Sequence, residues 1–331
     1  MKELLRRYFR CDERESRAAF VALLLSVGCS LSAAALLGIS LVVGVGPLWH
    51  AFRDADWLFL IFVPAAVAIS HIGYALAYWE VARSEGYVDI RFAEAFHIVS
   101  TGFEPLSPRT SYALDVWELT KRGLSRDVAE HRVRVLGLLE YAVLAPATFI
   151  AAVYMAVAGL KAQSGLLPSW VIGVPAGTAI AVALLVAYRR RGRPHHWWAP
   201  IRRQLDAIDD LVRMVRSWRE TPLALLGMLV YWTAEIAALI GCVNVFGDKR
   251  GAIAVMIVGY ATGYALMRRA LPLAGAGVVE ALMPFALTWV GFPLASSVLA
   301  VIAYRIFNMW LPIIPAVISL RRLERVAPAV A

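Results

Sequence analysis

The stretch Leu271-Pro-Leu-Ala-Gly-Ala-Gly-Val-Val-Glu280 sets a carboxylate inside an apolar run that continues to Arg321. The run carries one further charge, Arg305, in Tyr304-Arg305-Ile-Phe-Asn308-Met-Trp310-Leu-Pro312. An ionised group near the centre of a bilayer costs roughly 2.5–3.5 kcal/mol on insertion scales. A chain that keeps Glu280 and Arg305 there uses them, most simply as partners lining a polar cavity. The plainer reading is an ion pair that staples two helices together.

Working outward, the composition places the rest of the chain in the same setting. Hydrophobic residues make up 60% of the 331 positions and charged residues 17%, far from an ordinary soluble domain. Apolar stretches long enough to cross a hydrocarbon core of roughly 30 Å recur at 20–46, 57–79, 135–160, 168–188, 222–246, 250–268, 271–290 and 293–318. The fold class is therefore all-α, a polytopic membrane protein with about eight transmembrane helices. Trp49, Trp57, Trp79, Trp170, Trp232 and Trp310 fall mostly near span ends, as interfacial belts require. The first apolar segment is too long for a signal peptide's core and reads as an uncleaved span.

The net charge of +9 is confined to short segments between spans. Six basic residues lie in the leader 1–19, five in 115–134, nine in 189–219 and three after 318, while the alternate loops are poor in them. The positive-inside rule then puts both termini in the cytoplasm of a multi-pass protein of the inner (plasma) membrane. The same charge attracts anionic inner-leaflet lipids; no motif suggests nucleic acid. Cys11, Cys29 and Cys242 are too dispersed for a metal cluster or a disulfide framework.

The 331 residues form a single transmembrane domain with four special segments: the basic cytoplasmic leader 1–19, and 92–114, 189–219 and 269–290. Segment 92–114 contains Glu94, His97, Glu104, Pro105, Pro108 and Arg109. Both its flanks count as cytoplasmic, so a re-entrant hairpin is expected. Irregular backbone at membrane depth is tolerated only where protein or a wet cavity solvates it. Pro272, Gly275 and Gly277 break the helix over 269–290 in the other half. Paired broken segments in corresponding positions point to a transport site. The 189–219 segment is a cytoplasmic amphipathic helix, its stripe Ile201, Leu205, Ile208, Val212 and Val215 expected on the inner leaflet. Gly173-Val-Pro-Ala-Gly177 and Gly259-Tyr-Ala-Thr-Gly263 match small-xxx-small packing motifs.

Gly275-Ala-Gly277 opens a new helix start whose amides suit an anion. Arginine forks suit phosphate oxygens. The expected substrate-binding residues are therefore Arg109, Arg269, Gly275, Gly277, Glu280 and Arg305, for an amphiphile with a phosphate headgroup. Arg268-Arg269 has an equally good explanation as a positive-inside pair. Glu140 and Glu235 also lie within apolar spans and could pair with an arginine or relay protons. Asp115 and Glu118 share a helix face and read best as solvated acids. No catalytic constellation, metal site or cofactor motif is present in the sequence, and the two adjacent histidines His195-His196 have no third ligand at suitable spacing.

Pro272 through Glu280, then Gly291-Phe-Pro293, Tyr304-Arg305 and Trp310-Leu-Pro312 resemble the flippase-like transmembrane domain of the lysylphosphatidylglycerol synthase family. Pro108-Arg109 and Gly123-Leu-Ser125 resemble, more weakly, that family's first motif and its following turn. Two departures stand out. The family's Arg-x-Gly-Glu is Arg109-Thr-Ser-Tyr112 here, and its Gly-Gly-Leu-Gly is Ala274-Gly-Ala-Gly277. Nothing in the sequence matches a soluble aminoacyltransferase domain, so a stand-alone flippase-like domain is expected. The resemblance implies binding of a phosphate-bearing lipid and its movement between leaflets. The alternatives are a membrane-embedded transferase acting on a polyprenyl-phosphate or phospholipid, and a non-catalytic lipid-binding accessory subunit; a homo-oligomer is compatible with all three.

Overall fold

A computed structural model describes residues 14–84, 89–102, 111–192, 199–247, 252–264 and 275–325. All regular structure among them is helical. The chain opens with α1 (Arg14–Val43), 30 residues long and ended by Gly44, whose φ of 86° lets its N–H return to Ser40 O at 2.9 Å. A short α2 (Val45–Arg53) and a 3₁₀ turn (Trp57–Phe62) lead into α3 (Val63–Arg83). Trp49, Phe52, Trp57 and Phe246 form a chain of ring contacts 5.1–6.0 Å apart at this end of the bundle. Exposed Trp49 and Trp57 suit an interfacial belt.

Two 11-residue helices follow, α4 (Phe92–Gly102) and α5 (Ser111–Lys121), packed on one another. The connector 103–110, with Glu104, Pro105, Pro108 and Arg109, lies outside the described residues. Ser125 caps α6 (Arg126–Val157), which packs on α7 (Leu166–Arg190) and on the amphipathic α8 (Ala199–Arg216). Then come α9 (Pro222–Phe246), α10 (Ile253–Tyr264), α11 (Val278–Trp289) and α12 (Leu294–Arg305). A π-helical turn (Ile306–Trp310) carries the chain into α13 (Ile313–Arg325), which packs against α4.

Six helical stretches are long and apolar enough to cross a membrane: 22–43, 57–83, 126–157, 166–190, 222–246 and 294–319. The expected spans 250–268 and 271–290 are described in part, as the apolar helices α10 and α11 of 12 described residues each. They pack face to face, with Arg268, Arg269 and Pro272 in the 265–274 connector outside the described residues. Among the described residues, two pairs of short helices stand one in each half, α4–α5 and α10–α11.

The bundle is organised on the crossing of α3 and α9, its most extensive helix contact. Two glycines permit it. A Cβ on Gly73 would lie 2.6 Å from Tyr231 N and 2.8 Å from Gly227 O, and one on Gly227 would lie 2.5 Å from Gly73 O. Gly259 and Gly263 likewise meet Val290 and Met283 closely, as expected of their motif. Gly173 and Gly177 do not: nothing lies within 4 Å of where their Cβ atoms would be, because α7 stands at the edge of the bundle. Trp232, expected at an interface, is instead buried beside α6, donating from Nε1 to Glu140 O at 3.0 Å.

Candidate functional site

Glu280 occupies the first turn of α11, where Gly277 is the N-cap with φ 85°. The Gly277 N–H donates to Glu280 Oε2 at 2.8 Å, closing the helix start on the carboxylate. A Cβ at Gly277 would sit 3.0 Å from Leu31 O, so glycine is needed for the backbone angle and for the approach of α1. From α1, Ser32 Oγ donates to Glu280 Oε1 at 2.9 Å. From α12, Arg305 Nε donates to the same oxygen at 2.9 Å. Both charged side chains are buried. Glu280 and Arg305 thus form the pair that the sequence suggested, joined to three helices.

One residue before Arg305, Tyr304 turns the other way and donates to Glu235 of α9. Glu235 is 0% exposed. It also accepts from Ser70 Oγ of α3 at 2.8 Å, Tyr260 OH of α10 at 3.2 Å, and Asn308 Nδ2 at 2.8 and 2.9 Å. Asn308 lies in the π turn, whose extra residue sets its amide against Glu235; such turns recur at functional sites. The adjacent pair Tyr304-Arg305 therefore couples the Glu235 cluster to the Glu280 pair.

A third buried carboxylate continues the polar path. Glu140 of α6 accepts from Tyr74 OH at 2.7 Å, and the Tyr74 ring meets Tyr231 edge-on at 5.0 Å. Asp115 lies within electrostatic reach of Glu140 and Glu118. Asp115 and Glu118, expected as solvated acids, are 2% and 1% exposed. They turn inward because α5 packs that face on α6, and Arg122 donates to Glu118 one turn later. No trio of metal-ligating side chains occurs among the described residues.

The expected headgroup cavity is not open at this place. Beside Tyr260, Tyr304, Arg305 and Asn308 there is about 20 Å³ of free space, room for one water rather than a headgroup. Of the expected binding residues, Gly277, Glu280 and Arg305 are brought together, Gly275 lies in the turn just before α11 with a φ of 69°, and Arg109 and Arg269 lie outside the described residues. The profile of a protein family described as the lysylphosphatidylglycerol synthase TM region matches residues 20–316.

The chain belongs to that family. No curated protein matches it. In this member of the lysylphosphatidylglycerol synthase TM region family, Glu280, Arg305 and Tyr304 all fall inside the matched range. The polar residues that complete the site, Ser32, Ser70, Tyr74, Tyr260 and Asn308, were not singled out from sequence. Each is a small or aromatic polar side chain in an apolar helix, and only their convergence on three carboxylates distinguishes them.

The segment around α8 is partly as expected. Its helix is amphipathic, with Ile201 and Val215 exposed and Leu205 buried. The other face is docked by charge: Arg189 Nε donates to Asp209 at 2.7 Å, Tyr188 OH to Asp206 at 3.1 Å, and His131 contacts Asp210.

Proposed function

We propose that the protein binds an amphiphile with a phosphate headgroup and moves it between leaflets, with Arg305 as the residue that takes the phosphate. The observation that carries this reading is the buried Glu280–Arg305 pair, with Ser32 and the Gly277 amide on the same carboxylate. Removing one partner of a buried pair costs about 3–5 kcal/mol, because the other charge is stranded. Exchange with a phosphate avoids that cost. Arg305 can pass from Glu280 to the incoming phosphate, while Ser32 and Gly277 keep Glu280 solvated. The closed 20 Å³ space then corresponds to the empty, occluded state.

The two short-helix pairs support the same reading. With six full spans, the basic segments all fall on one face, taken as the cytoplasm of the plasma membrane, with both termini there. The α4–α5 pair then dips in from that face and α10–α11 from the opposite one. Opposed broken elements of this kind frame the site in transporters built from inverted repeats. Arg109 and Arg269 belong to the two connectors and are assigned to headgroup capture there. The buried group Asp115, Glu118 and Glu140 is the one feature that favours a membrane-embedded transferase instead.

Reconstitution with fluorescent lipids that differ only in headgroup, read by leaflet accessibility, tests the proposal. Arg305→Ala should abolish movement of phosphate-bearing lipids and exceed the effect of Glu280→Gln. Wild-type vesicles no faster than protein-free ones would refute transport. Normal rates in Arg305→Ala with loss in Glu280→Gln would refute the phosphate role.

A further inference from the structure

Glu280 and Glu235 are solvated in different ways. Glu280 is met by the Arg305 guanidinium and the Gly277 N–H, groups that only donate, with the Ser32 hydroxyl as a third partner. That set suits the carboxylate form alone. Glu235 accepts from three hydroxyls, those of Ser70, Tyr260 and Tyr304, and from the Asn308 amide. A hydroxyl donates or accepts by turning its hydrogen. The Tyr260 and Tyr304 hydroxyls are 3.2 Å apart, and either can be the donor. When a proton forms an O–H bond at Glu235 Oε2, Tyr304 turns its own hydrogen towards the Tyr260 oxygen and accepts the new one. The cage therefore accommodates Glu235 both as an anion and as a neutral acid.

The charge count supplies a reason for that proton. Glu235 and Glu280 are both 0% exposed. They stand as two carboxylates to one guanidinium, that of Arg305, and the adjacent Tyr304-Arg305 joins their two clusters. The other titratable groups on elements packed against α9 are His71 and Tyr74 of α3, Glu140 of α6, Tyr260 and Tyr264 of α10, and Tyr304 of α12, with Tyr231 and Cys242 on α9 itself. The 3₁₀ turn Trp57–Phe62 brings none. A phosphodiester arriving at Arg305 adds one more negative charge to a place without bulk water, where an uncompensated charge is costly. A proton on Glu235 removes one negative charge and leaves the buried total as it was. The free space of about 20 Å³ borders Tyr260, Tyr304, Arg305 and Asn308 together, so proton and headgroup act at one place.

We infer that the protein moves one proton, carried on the Glu235 carboxyl, with each singly charged phosphodiester headgroup, an electroneutral symport. Release is the reverse step: Glu235 gives up the proton once the headgroup has left Arg305 and Glu280 has regained its partner. The inference rests on the transport reading above and adds the coupling ion to it.

The test places the purified full chain in phosphatidylcholine vesicles with a trace of fluorescent phosphatidylglycerol, the outer leaflet being read by an impermeant quencher. With about one pH unit across the membrane, acid outside, the label should gather about tenfold in the inner leaflet, one factor of ten per proton. This ratio is an equilibrium quantity and does not depend on which way round the protein inserts. A potassium potential set with valinomycin should leave it unchanged. Glu235→Gln cannot take the proton, so it should lose the enrichment and let the imposed potential displace the label, a response that a purely structural role would not create. Glu235→Asp, a carboxyl drawn back from the cage, should keep the enrichment and shift the pH of half-maximal rate. Wild-type vesicles that move the label but share it equally between leaflets under the gradient overturn the coupling and leave the transport reading intact. Wild-type vesicles no faster than protein-free ones overturn both. Enrichment that survives in Glu235→Gln overturns the assignment to Glu235, as does an unmoved pH profile in Glu235→Asp, which serves should Glu235→Gln fail to fold.

Discussion

Replacing Gly73 by alanine tests whether the α3–α9 crossing positions the buried carboxylates. The new Cβ would lie 2.6 Å from Tyr231 N, about 0.8 Å inside the 3.4 Å at which such contacts become ordinary. Both nearest atoms are backbone, so no rotamer change relieves the clash and the helices must part. Ser70 Oγ donates to Glu235 across this same crossing at 2.8 Å. A parting of that size would stretch the bond to about 3.6 Å, beyond hydrogen-bonding range. Overpacking costs about 1–3 kcal/mol, and losing a buried hydrogen bond to a charged group about 1.5–3 kcal/mol. A loss of about 2.5 kcal/mol or more should lower the unfolding midpoint by on the order of 5–10 °C, read in detergent by the fraction that stays monodisperse after heating. Gly137→Ala is the control: nothing lies within 4 Å of its Cβ position, so it should be neutral or slightly stabilising. A Gly73→Ala protein as stable as Gly137→Ala would refute the claim that backbone contact sets this spacing.

Four further outcomes are expected. Glu280→Gln and Arg305→Gln should each destabilise by about 3 kcal/mol or more, and the double substitution by less than their sum, measured by the same heating assay. Gly277→Ala should be as harmful as either, since it strains a φ of 85° and pushes on Leu31 O; a neutral result would mean that α1 is not fixed there. On a cysteine-free background, single cysteines at 89 and 123 should label from one face and those at 252 and 291 from the opposite face, with an impermeant thiol reagent. Labelling of 89 and 123 from different faces would show that α4–α5 cross. His97 donates to or accepts from Ser319 Oγ at 2.9 Å, and burial with Arg322 beside it lowers its affinity for a proton. The folded state therefore favours neutral His97, and stability should fall as pH drops below about 6.5. His97→Gln should flatten that dependence in melts from pH 8 to 5.5.

Much of the membrane architecture was legible because it rests on long-range regularities: apolar length, basic clusters and breaks at Pro and Gly. The Glu280–Arg305 pair was legible for a related reason, since two lone charges in one apolar run have few other partners. Asp115 and Glu118 misled because a helix face with two acids reads as wet unless its tertiary neighbour is known. Gly73 and Gly227 gave no local sign, as neither has a second glycine at the spacing that marks a packing motif to set it apart.

The π turn at Ile306–Trp310 has a mechanical consequence. It winds one residue more into its turn than an α-helix does, and a register shift of one residue rotates whatever follows by roughly 100° and advances it about 1.5 Å. Upstream of the turn lie Tyr304 and Arg305, and within it Asn308, all engaged with buried carboxylates. Downstream lies α13, where Ser319 and Arg322 grip His97 of α4. Five residues thus work like the thread of a screw between the core of the bundle and one of its hairpins. A slip in that thread would withdraw Asn308 from Glu235 and turn α13 against α4 in a single motion.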